Sequence, residues 1–113
     1  MAEYVLQLLH GKSNAIVIGS PGVEGYILGR SDDAIQYSPD VDLATYEARE
    51  RGVSRRHAAL VLFSGAMHLV DLGSVNGTYI NGVRLVPDHP SRISPGDELR
   101  LGMLELILLK QKD

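Results

Sequence analysis

Short β-rich runs, broken every few residues by Gly, Pro, Asn or Asp, are the feature that most constrains the fold of this chain. In residues 4–9 the side chains alternate, so that Tyr4, Leu6 and Leu8 fall on one side of an extended segment. Residues 98–101 alternate strictly in the same way. Such alternation is typical of strands with one buried face, and many such runs at close spacing predict an all-β sandwich or barrel.

Strands are predicted for the runs 4–9, 15–18, 25–30, 58–63, 67–72, 78–80, 83–86, 98–101 and 104–109. A turn is predicted at 11–14, and Asn81-Gly82 predicts a tight hairpin because both positions tolerate a positive φ. Gly102 shifts the alternation and indicates a bulge or a tight bend. The last run is apolar on both sides, which is typical of a buried strand.

The segment 31–52 shows the weakest secondary-structure pattern in the chain. Its aspartates and Pro39 favour a loop. Residues 41–43 could pair briefly as a strand, and residues 44–51 have a helix-friendly composition without an apolar face. We therefore expect a loop or a single helical turn in the second half of the segment.

Composition limits the class of protein. The chain has 113 residues, of which 44% are hydrophobic and 22% charged, so we expect residues 1–113 to form a single globular domain. The formal net charge of −3 argues against broad nucleic-acid binding, which needs a strongly basic face. The chain has no cysteine, which excludes disulfides and thiolate metal sites.

The N-terminal residues and the longest apolar runs bear on the cellular location. The first four residues contain no basic segment, and Glu3 and Gln7 interrupt the apolar run, so a signal peptide is not expected. No apolar run approaches the ~20 residues needed to span a bilayer. We therefore expect a cytoplasmic location and no membrane partner.

A small hydroxyl and two guanidiniums stand together in the stretch Ser54-Arg55-Arg56-His57, directly before the apolar run 58–63. A serine hydroxyl donates one hydrogen bond, and an arginine offers two parallel N–H donors that match the geometry of a phosphate. The stretch therefore suits the capture of an oxyanion. Alternatively, the serine could satisfy local backbone groups while the arginines are solvated, and for this stretch alone that second interpretation is favoured.

Further motifs follow in a fixed order along the chain. They are Gly29-Arg30 at the end of one run, Ser54–His57 before a later one, Asp71–Thr78, Asn81-Gly82 and Gly96–Leu99. In order, spacing and local context this set resembles the forkhead-associated (FHA) domain family, from about Tyr4 to Leu109. Each motif alone occurs often by chance, but several in the correct order on a β pattern are specific.

The resemblance implies an eleven-stranded β-sandwich with recognition loops at one end, which bind partner segments carrying phosphothreonine. A phosphate brings about −1.5 to −2 charges and three acceptor oxygens, so it needs several convergent donors. Carried over by position, Arg30 would pair with the phosphate and Ser54 would donate its hydroxyl. Arg55 would supply a backbone N–H and could add its side chain, and Asn76 would hold the partner's main chain. The secondary candidates are Ser74, Val75 and Arg56.

Three motif residues are expected to be structural, namely Gly29, His57 and Gly77. In the resembling domains the histidine braces the binding loops through hydrogen bonds. The two glycines are expected to permit backbone turns that a Cβ would block.

Two departures from the family pattern bear on affinity. Val75 stands where many members carry Thr or Ser, so one phosphate donor is missing. The segment 31–52 is longer than usual, and its Arg49 and Arg51 could extend a positive rim. The interpretation that these arginines are solvated and paired with neighbouring glutamates, Glu47 and Glu50, is favoured.

Two other classes of function compete with a phosphopeptide-binding module. The same fold could serve as a phosphate-independent interaction or assembly domain. An enzyme is disfavoured, since no Gly-x-Ser-x-Gly elbow occurs and Gly11-Lys12-Ser13 lacks the first glycine of a P-loop. The four histidines are scattered, so no metal site, cofactor or catalytic residue is expected. The favoured prediction is a non-catalytic module that docks substrates or partners of a Ser/Thr kinase.

Overall fold

The computed structural model describes residues 3–9 and 15–111. Its strands, in chain order, are β1 (Glu3–Leu8), β2 (Ala15–Gly19), β3 (Tyr26–Gly29), β4 (Val41–Asp42), β5 (Arg56–Phe63), β6 (Ala66–Asp71), β7 (Thr78–Ile80), β8 (Val83–Arg84), β9 (Ser91–Ile93), β10 (Glu98–Leu101) and β11 (Leu104–Gln111). Two short 3₁₀ turns span Asp33–Ile35 and Ala44–Tyr46. The turn predicted at 11–14 lies outside the described residues.

The strands form two sheets that enclose one core. One sheet has six strands in the order β2-β1-β11-β10-β7-β8, and the other has five in the order β4-β3-β5-β6-β9. The strand pairs are antiparallel, except that β3 and β4 run parallel. The predicted eleven-stranded β-sandwich is therefore confirmed.

Leucines from both sheets dominate the core, namely Leu6, Leu8, Leu28, Leu60, Leu69, Leu99, Leu101, Leu104, Leu106 and Leu108. Tyr4 is buried with them, so the inward face predicted for the first strand is confirmed. The expectation that the last strand is buried on both sides is wrong, because Leu109 is 40% exposed and Ile107 is half-buried. A sheet of a sandwich packs one face on the core and leaves the other towards solvent.

The turns between strands agree with the local sequence signals. Asn81 and Gly82 have φ values of 49° and 83° and join β7 to β8, which confirms the predicted hairpin. Gly102 lies in the tight turn between β10 and β11. The segment 31–52 contains the brief strand β4 and the two 3₁₀ turns, as expected of a mainly irregular segment. Strand β9, in contrast, was not predicted.

Four connections meet at one end of the sandwich, where hydrogen bonds between their backbones tie them together. The residue after β3 bonds to the segment before β5, because Arg30 N–H donates to the carbonyl of Arg55 at 3.1 Å. The β10–β11 turn is tied to the β6–β7 loop, because Gly102 N–H donates to the carbonyl of Gly77 at 2.9 Å. Met103 N–H donates to Arg51 O at 2.7 Å, which adds the end of the irregular segment.

No helix within 3–9 and 15–111 is long and apolar enough to cross a membrane.

Candidate functional site

The three connections that carry the principal candidates converge on residues 52–54. Arg30 Nε donates to the carbonyl of Val53 at 2.8 Å. From the β6–β7 loop, Val75 N–H donates to Ser54 Oγ at 3.2 Å, and Asn76 Nδ2 donates to Gly52 O at 3.0 Å. The structure thus brings a guanidinium, a hydroxyl and a carboxamide to one end of the sandwich, although they come from separate parts of the chain.

The guanidinium of Arg30 is fixed through Nε, and its two terminal nitrogens point to no acceptor among the described residues. The side chain is half-buried, and its Nε hydrogen bond to Val53 fixes the direction of the guanidinium. Its terminal nitrogens form no ion pair or hydrogen bond with any residue that the structure describes. A guanidinium held in this way presents a preorganised pair of N–H donors to an anion.

Gly29 allows β3 and the start of β5 to approach closely. A Cβ at this position would overlap the carbonyl oxygen of Arg55 and lie 3.0 Å from that of Ser54. Its φ is not positive, so close approach rather than a backbone turn requires the glycine here. Gly77 does have the expected turn conformation, with a φ of 87°.

His57 is fully buried and connects two of the loops. Its Nδ1 accepts the N–H of Ser54 at 2.9 Å, so its Nε2 carries the proton and donates to Gly77 O at 2.9 Å. Burial lowers the pKa of His57 below its ordinary value, and neither the bond to Gly77 nor the attraction of Asp71 offsets this effect. The imidazole is therefore neutral and fixes the backbone on which Ser54 stands.

Acidification is expected to weaken the connection that His57 makes between the two loops. The unfolded chain protonates His57 near pH 6.5, about the ordinary value, whereas the folded chain does so only at a lower pH. The folded protein therefore loses stability as the pH falls through this range. Urea unfolding at about pH 7.5 and about pH 5.5 should show a smaller loss for His57→Asn than for the wild type. Equal losses in the two proteins would contradict the assigned role.

Asp71 is a buried carboxylate that organises the β6–β7 loop, a role that the motif comparison did not give it. Its Oδ1 accepts the hydroxyls of Ser74 and Thr78, both at 2.6 Å, and its Oδ2 accepts the N–H groups of Gly73 at 3.1 Å and Ser74 at 3.3 Å. Burial alone would raise its pKa, but these hydrogen bonds outweigh burial and lower the pKa below the ordinary value. An Asp followed closely by Gly, Ser and Thr is a local signal for such a loop.

The hydroxyl of Ser74 forms its hydrogen bonds at the β6–β7 loop. Its hydroxyl donates to Asp71 and accepts the N–H of Gly77 at 3.0 Å. Its neighbour Val75 is 82% exposed, and Asn76 is also exposed. The secondary candidate Arg56 opens β5 with an exposed side chain, in register with Gly29.

The other arginines near the site differ in their partners. Arg55 Nε forms an ion pair with Asp32 at 2.7 Å, a contact that the sequence did not indicate. Arg51 meets Glu47 only at 3.9 Å. Arg49 is exposed and forms no ion pair within the described ranges, so the preferred pairing with glutamates holds at most for Arg51.

A pocket of about 530 Å³ lies beside Arg30. Its charged lining residues are Arg30, Arg49, Arg55, Asp32, Asp33 and Glu50. The rim therefore mixes both signs of charge, with Asp32 already bound to one of the cations. Among the residues that the structure describes, no group of three or more His, Asp or Glu side chains is placed to hold a metal ion.

Comparison with known sequences relates nearly the whole chain to part of a longer protein. The chain is 35% identical to the protein FraH of Nostoc sp. strain PCC 7120 over 107 residues, which cover 95% of the chain and 36% of FraH. It thus spans little more than a third of the length of this relative. The other curated relatives compared are likewise longer, and the chain spans 54% of one from Corynebacterium jeikeium, an oxoglutarate dehydrogenase inhibitor that is 34% identical over 74% of the chain.

Solved structures of FHA domains share the architecture. One from a study of phosphothreonine-dependent FHA domain interactions is 28% identical, with a TM-score of 0.70 and 95% of both chains covered. The FHA domain of FhaA, solved in complex with the intracellular domain of Rv3910, is 29% identical, with a TM-score of 0.68 and coverage of 93% of this chain and 98% of that chain. The family model for the FHA domain matches residues 26–102, about two thirds of the chain. The chain therefore belongs to the forkhead-associated domain family.

Proposed function

We propose that this domain binds a partner segment that carries a phosphothreonine, and that it acts by binding rather than by catalysis. The observation that carries the proposal is the guanidinium of Arg30, which is anchored at Nε and whose terminal nitrogens have no partner among the described residues, beside the hydroxyl of Ser54 and the amide of Asn76. The similarity to an FHA domain studied for phosphothreonine-dependent interactions supports the same ligand class.

Arg30 and Ser54 supply complementary donors for a phosphate. The terminal nitrogens of Arg30 suit two phosphate oxygens, because a guanidinium matches the spacing of such acceptors. Ser54 Oγ accepts a hydrogen bond from Val75, which leaves its O–H proton free to donate. The backbone N–H of Arg55 has no backbone partner in the described part of the chain and provides a further donor.

Asn76 is suited to hold the main chain of the bound segment. Its Nδ2 group is anchored on Gly52, and its Oδ1 remains able to accept a backbone N–H. Its second Nδ2 hydrogen can donate to a carbonyl. A segment held in this way would place its phosphothreonine beside Ser54, because Val75 bonds directly to that serine.

The expected partners are a Ser/Thr kinase or its substrates, since these carry phosphothreonine. We place the domain in the cytoplasm, where ATP-dependent kinases act, and the similar FhaA domain was solved with an intracellular domain. We also propose that residues 1–113 form one domain, which is supported by the single core that both sheets share.

A matched peptide series tests the proposal by calorimetry. The same sequence would be prepared with Thr, phosphothreonine, phosphoserine and phosphotyrosine at one position. We expect the phosphothreonine peptide to bind and the Thr peptide to show no measurable heat, with the other two weaker. Equal heats across the series would refute phosphate recognition.

A phosphate-independent assembly domain is the second candidate. Two observations favour it, namely the absence of a hydroxyl at Val75 and the ion pair that Asp32 makes with Arg55. Phosphatase treatment of partner proteins captured on the domain distinguishes the two candidate functions. Retention after dephosphorylation supports the assembly domain, and release supports the phosphopeptide module.

Substitution of Val75 by threonine is expected to tighten phosphopeptide binding. The backbone of Val75 contacts Ser54, so a hydroxyl at this position lies close enough to add a donor for the phosphate. One net hydrogen bond of about 0.5–1.5 kcal/mol corresponds to an affinity gain of about twofold to tenfold. The control is Val86→Thr, at a 63% exposed valine outside the site, which should leave the calorimetric Kd unchanged. An unchanged Kd for Val75→Thr would place the phosphate elsewhere.

A further inference from the structure

The carboxylate of Asp32 lies in the pocket beside Arg30, where it contacts the guanidinium of Arg55. Asp32 Oδ2 is 2.7 Å from Arg55 Nε, and both residues line the pocket together with Arg30. The side chain of Asp32 is 19% exposed and that of Arg55 is 51% exposed. One of the cations beside the candidate phosphate site therefore already has an anionic partner within the chain.

The position of Asp32 is fixed by bonds that do not involve Arg55. Its Oδ1 accepts the N–H of Ala34 at 3.1 Å and caps the first 3₁₀ turn. Its backbone N–H donates to Tyr37 O at 2.9 Å, and its carbonyl accepts the Tyr37 N–H at 3.0 Å. Because these bonds hold Asp32, its carboxylate stays at the pocket when the guanidinium of Arg55 turns away from it.

Arg30 and Arg55 are both held through Nε, but by partners of different charge. Arg30 Nε donates to the carbonyl of Val53, which is neutral, so Arg30 keeps its full positive charge for an anion. Arg55 Nε donates to a carboxylate, which neutralises most of the charge that this guanidinium could offer. The two arginines are therefore not equivalent donors, although both line the same pocket.

The carboxylate of Asp32 opposes the binding of a phosphate at this place. A phosphothreonine brings about −1.5 to −2 charges, and near the terminal nitrogens of Arg55 these charges would lie close to the carboxylate. Arg55 can serve the phosphate fully only when it leaves Asp32, so one ion pair is exchanged for another. The pair contributes little to the stability of the fold, because Arg55 is half exposed.

We propose that Asp32 limits the affinity of the domain for phosphothreonine, because its carboxylate competes with the phosphate for Arg55. Asp32 is an affinity-determining residue of the site and not a ligand of the phosphate. This inference rests on the proposed function and specifies what sets the strength of binding at the same site. It also explains why an anionic residue lies among the cations of the pocket.

The test is calorimetry of Asp32→Asn with the phosphothreonine peptide of the matched series. The substitution removes the charge but keeps an oxygen that can accept the Ala34 N–H. We expect binding about threefold to tenfold tighter than in the wild type, because no ion pair has to be broken and the repulsion is gone. If urea unfolding showed that this variant does not fold, Asp32→Ser would replace it, since serine also caps such turns.

Asp33→Asn is the matched control. Asp33 is the next residue, lines the same pocket and forms no ion pair within the described ranges. Its substitution should tighten binding by less than about twofold, because it removes only a screened charge. An equal gain in both variants would indicate an effect of net charge and would overturn the inference. Unchanged or weaker binding by Asp32→Asn would overturn it too, because Asp32 would then position Arg55 for the phosphate.

The gain should depend on Arg55. We expect Arg55→Gln to weaken peptide binding more in the Asp32→Asn background than in the wild-type background, because only there is the guanidinium free to serve the phosphate fully. Equal losses in the two backgrounds would show that Asp32 does not act through Arg55 and would contradict the competition.

The Nε–H resonance of Arg55 in a proton–nitrogen NMR spectrum reports on the ion pair itself, and its loss in Arg55→Gln assigns it. We expect it to differ between the unbound wild type and unbound Asp32→Asn, and to shift when the peptide binds the wild type. A resonance that kept its position while the peptide bound would overturn the inference. Absence of binding by the wild type and by the folded Asp32 variant would instead defeat the proposed function, and the inference with it.

Discussion

Arg30→Ala is expected to weaken binding of a phosphothreonine peptide by tenfold or more while the domain remains folded. The terminal nitrogens of Arg30 have no partner among the described residues, so they are available for charge-assisted hydrogen bonds to the phosphate. Such bonds are worth about 1.5–3 kcal/mol, which corresponds to about tenfold to a hundredfold in affinity. Calorimetry with the phosphothreonine peptide measures the change.

Two further variants make this result specific to Arg30. Arg30→Lys retains the charge but not the planar pair of donors, so its affinity should fall between those of the wild type and the alanine variant. Arg92→Ala removes an arginine from the far edge strand of the five-stranded sheet and should bind normally. If Arg30→Ala were folded and bound the peptide as tightly as the wild type, the assigned phosphate contact would be wrong.

Asp71→Ala is expected to destabilise the whole domain. Its carboxylate accepts four hydrogen bonds, from the hydroxyls of Ser74 and Thr78 and from the backbone of Gly73 and Ser74. Removing it leaves the buried hydroxyl of Thr78 and the partly buried donors of Ser74 without their acceptor, at a cost of about 3 kcal/mol in the free energy of unfolding. Urea unfolding of both proteins at neutral pH measures the difference.

The same carboxylate predicts an acid-sensitive contribution to stability. Because the folded pKa of Asp71 is lowered, its contribution is fully present above the unfolded value of about 3.9 and is lost as the pH falls through the folded value. Asp71→Asn keeps one acceptor oxygen but does not titrate, so its stability should depend less on pH below about pH 4. Parallel pH profiles for Asp71→Asn and the wild type would contradict the network.

Much of the fold follows from local patterns in the sequence. Strands such as β1 and β10 show clear alternation of apolar and polar residues. The hairpin at Asn81-Gly82 requires positive φ values, and both residues have them. Strand β9 lacks such a signal, since Ile93 is its only apolar residue and its pairing with β6 depends on a distant part of the chain. The exposure of Leu109 was not predicted for a related reason, because composition alone does not show which face of a sheet meets solvent.

Candidate site residues could be proposed from the sequence where short motifs mark them, whereas contacts between loops could not be foreseen. Arg30, Ser54 and Asn76 stand at recognisable motif positions, and the structure places them around one short segment. The ion pair of Arg55 with Asp32 joins residues that are far apart in the sequence, and no local sequence pattern predicts it. Ser74 points to Asp71, so its motif position alone did not reveal its internal role.

A crystal structure of the domain with a bound phosphothreonine peptide tests the central claim most directly. We expect phosphate oxygens within hydrogen-bond distance of the terminal nitrogens of Arg30 and of Ser54 Oγ, with the peptide main chain bonded to the amide of Asn76. A phosphate bound at the opposite end of the sandwich, beside the Ser64-Gly65 turn, or a peptide that leaves all three side chains unchanged, would contradict it.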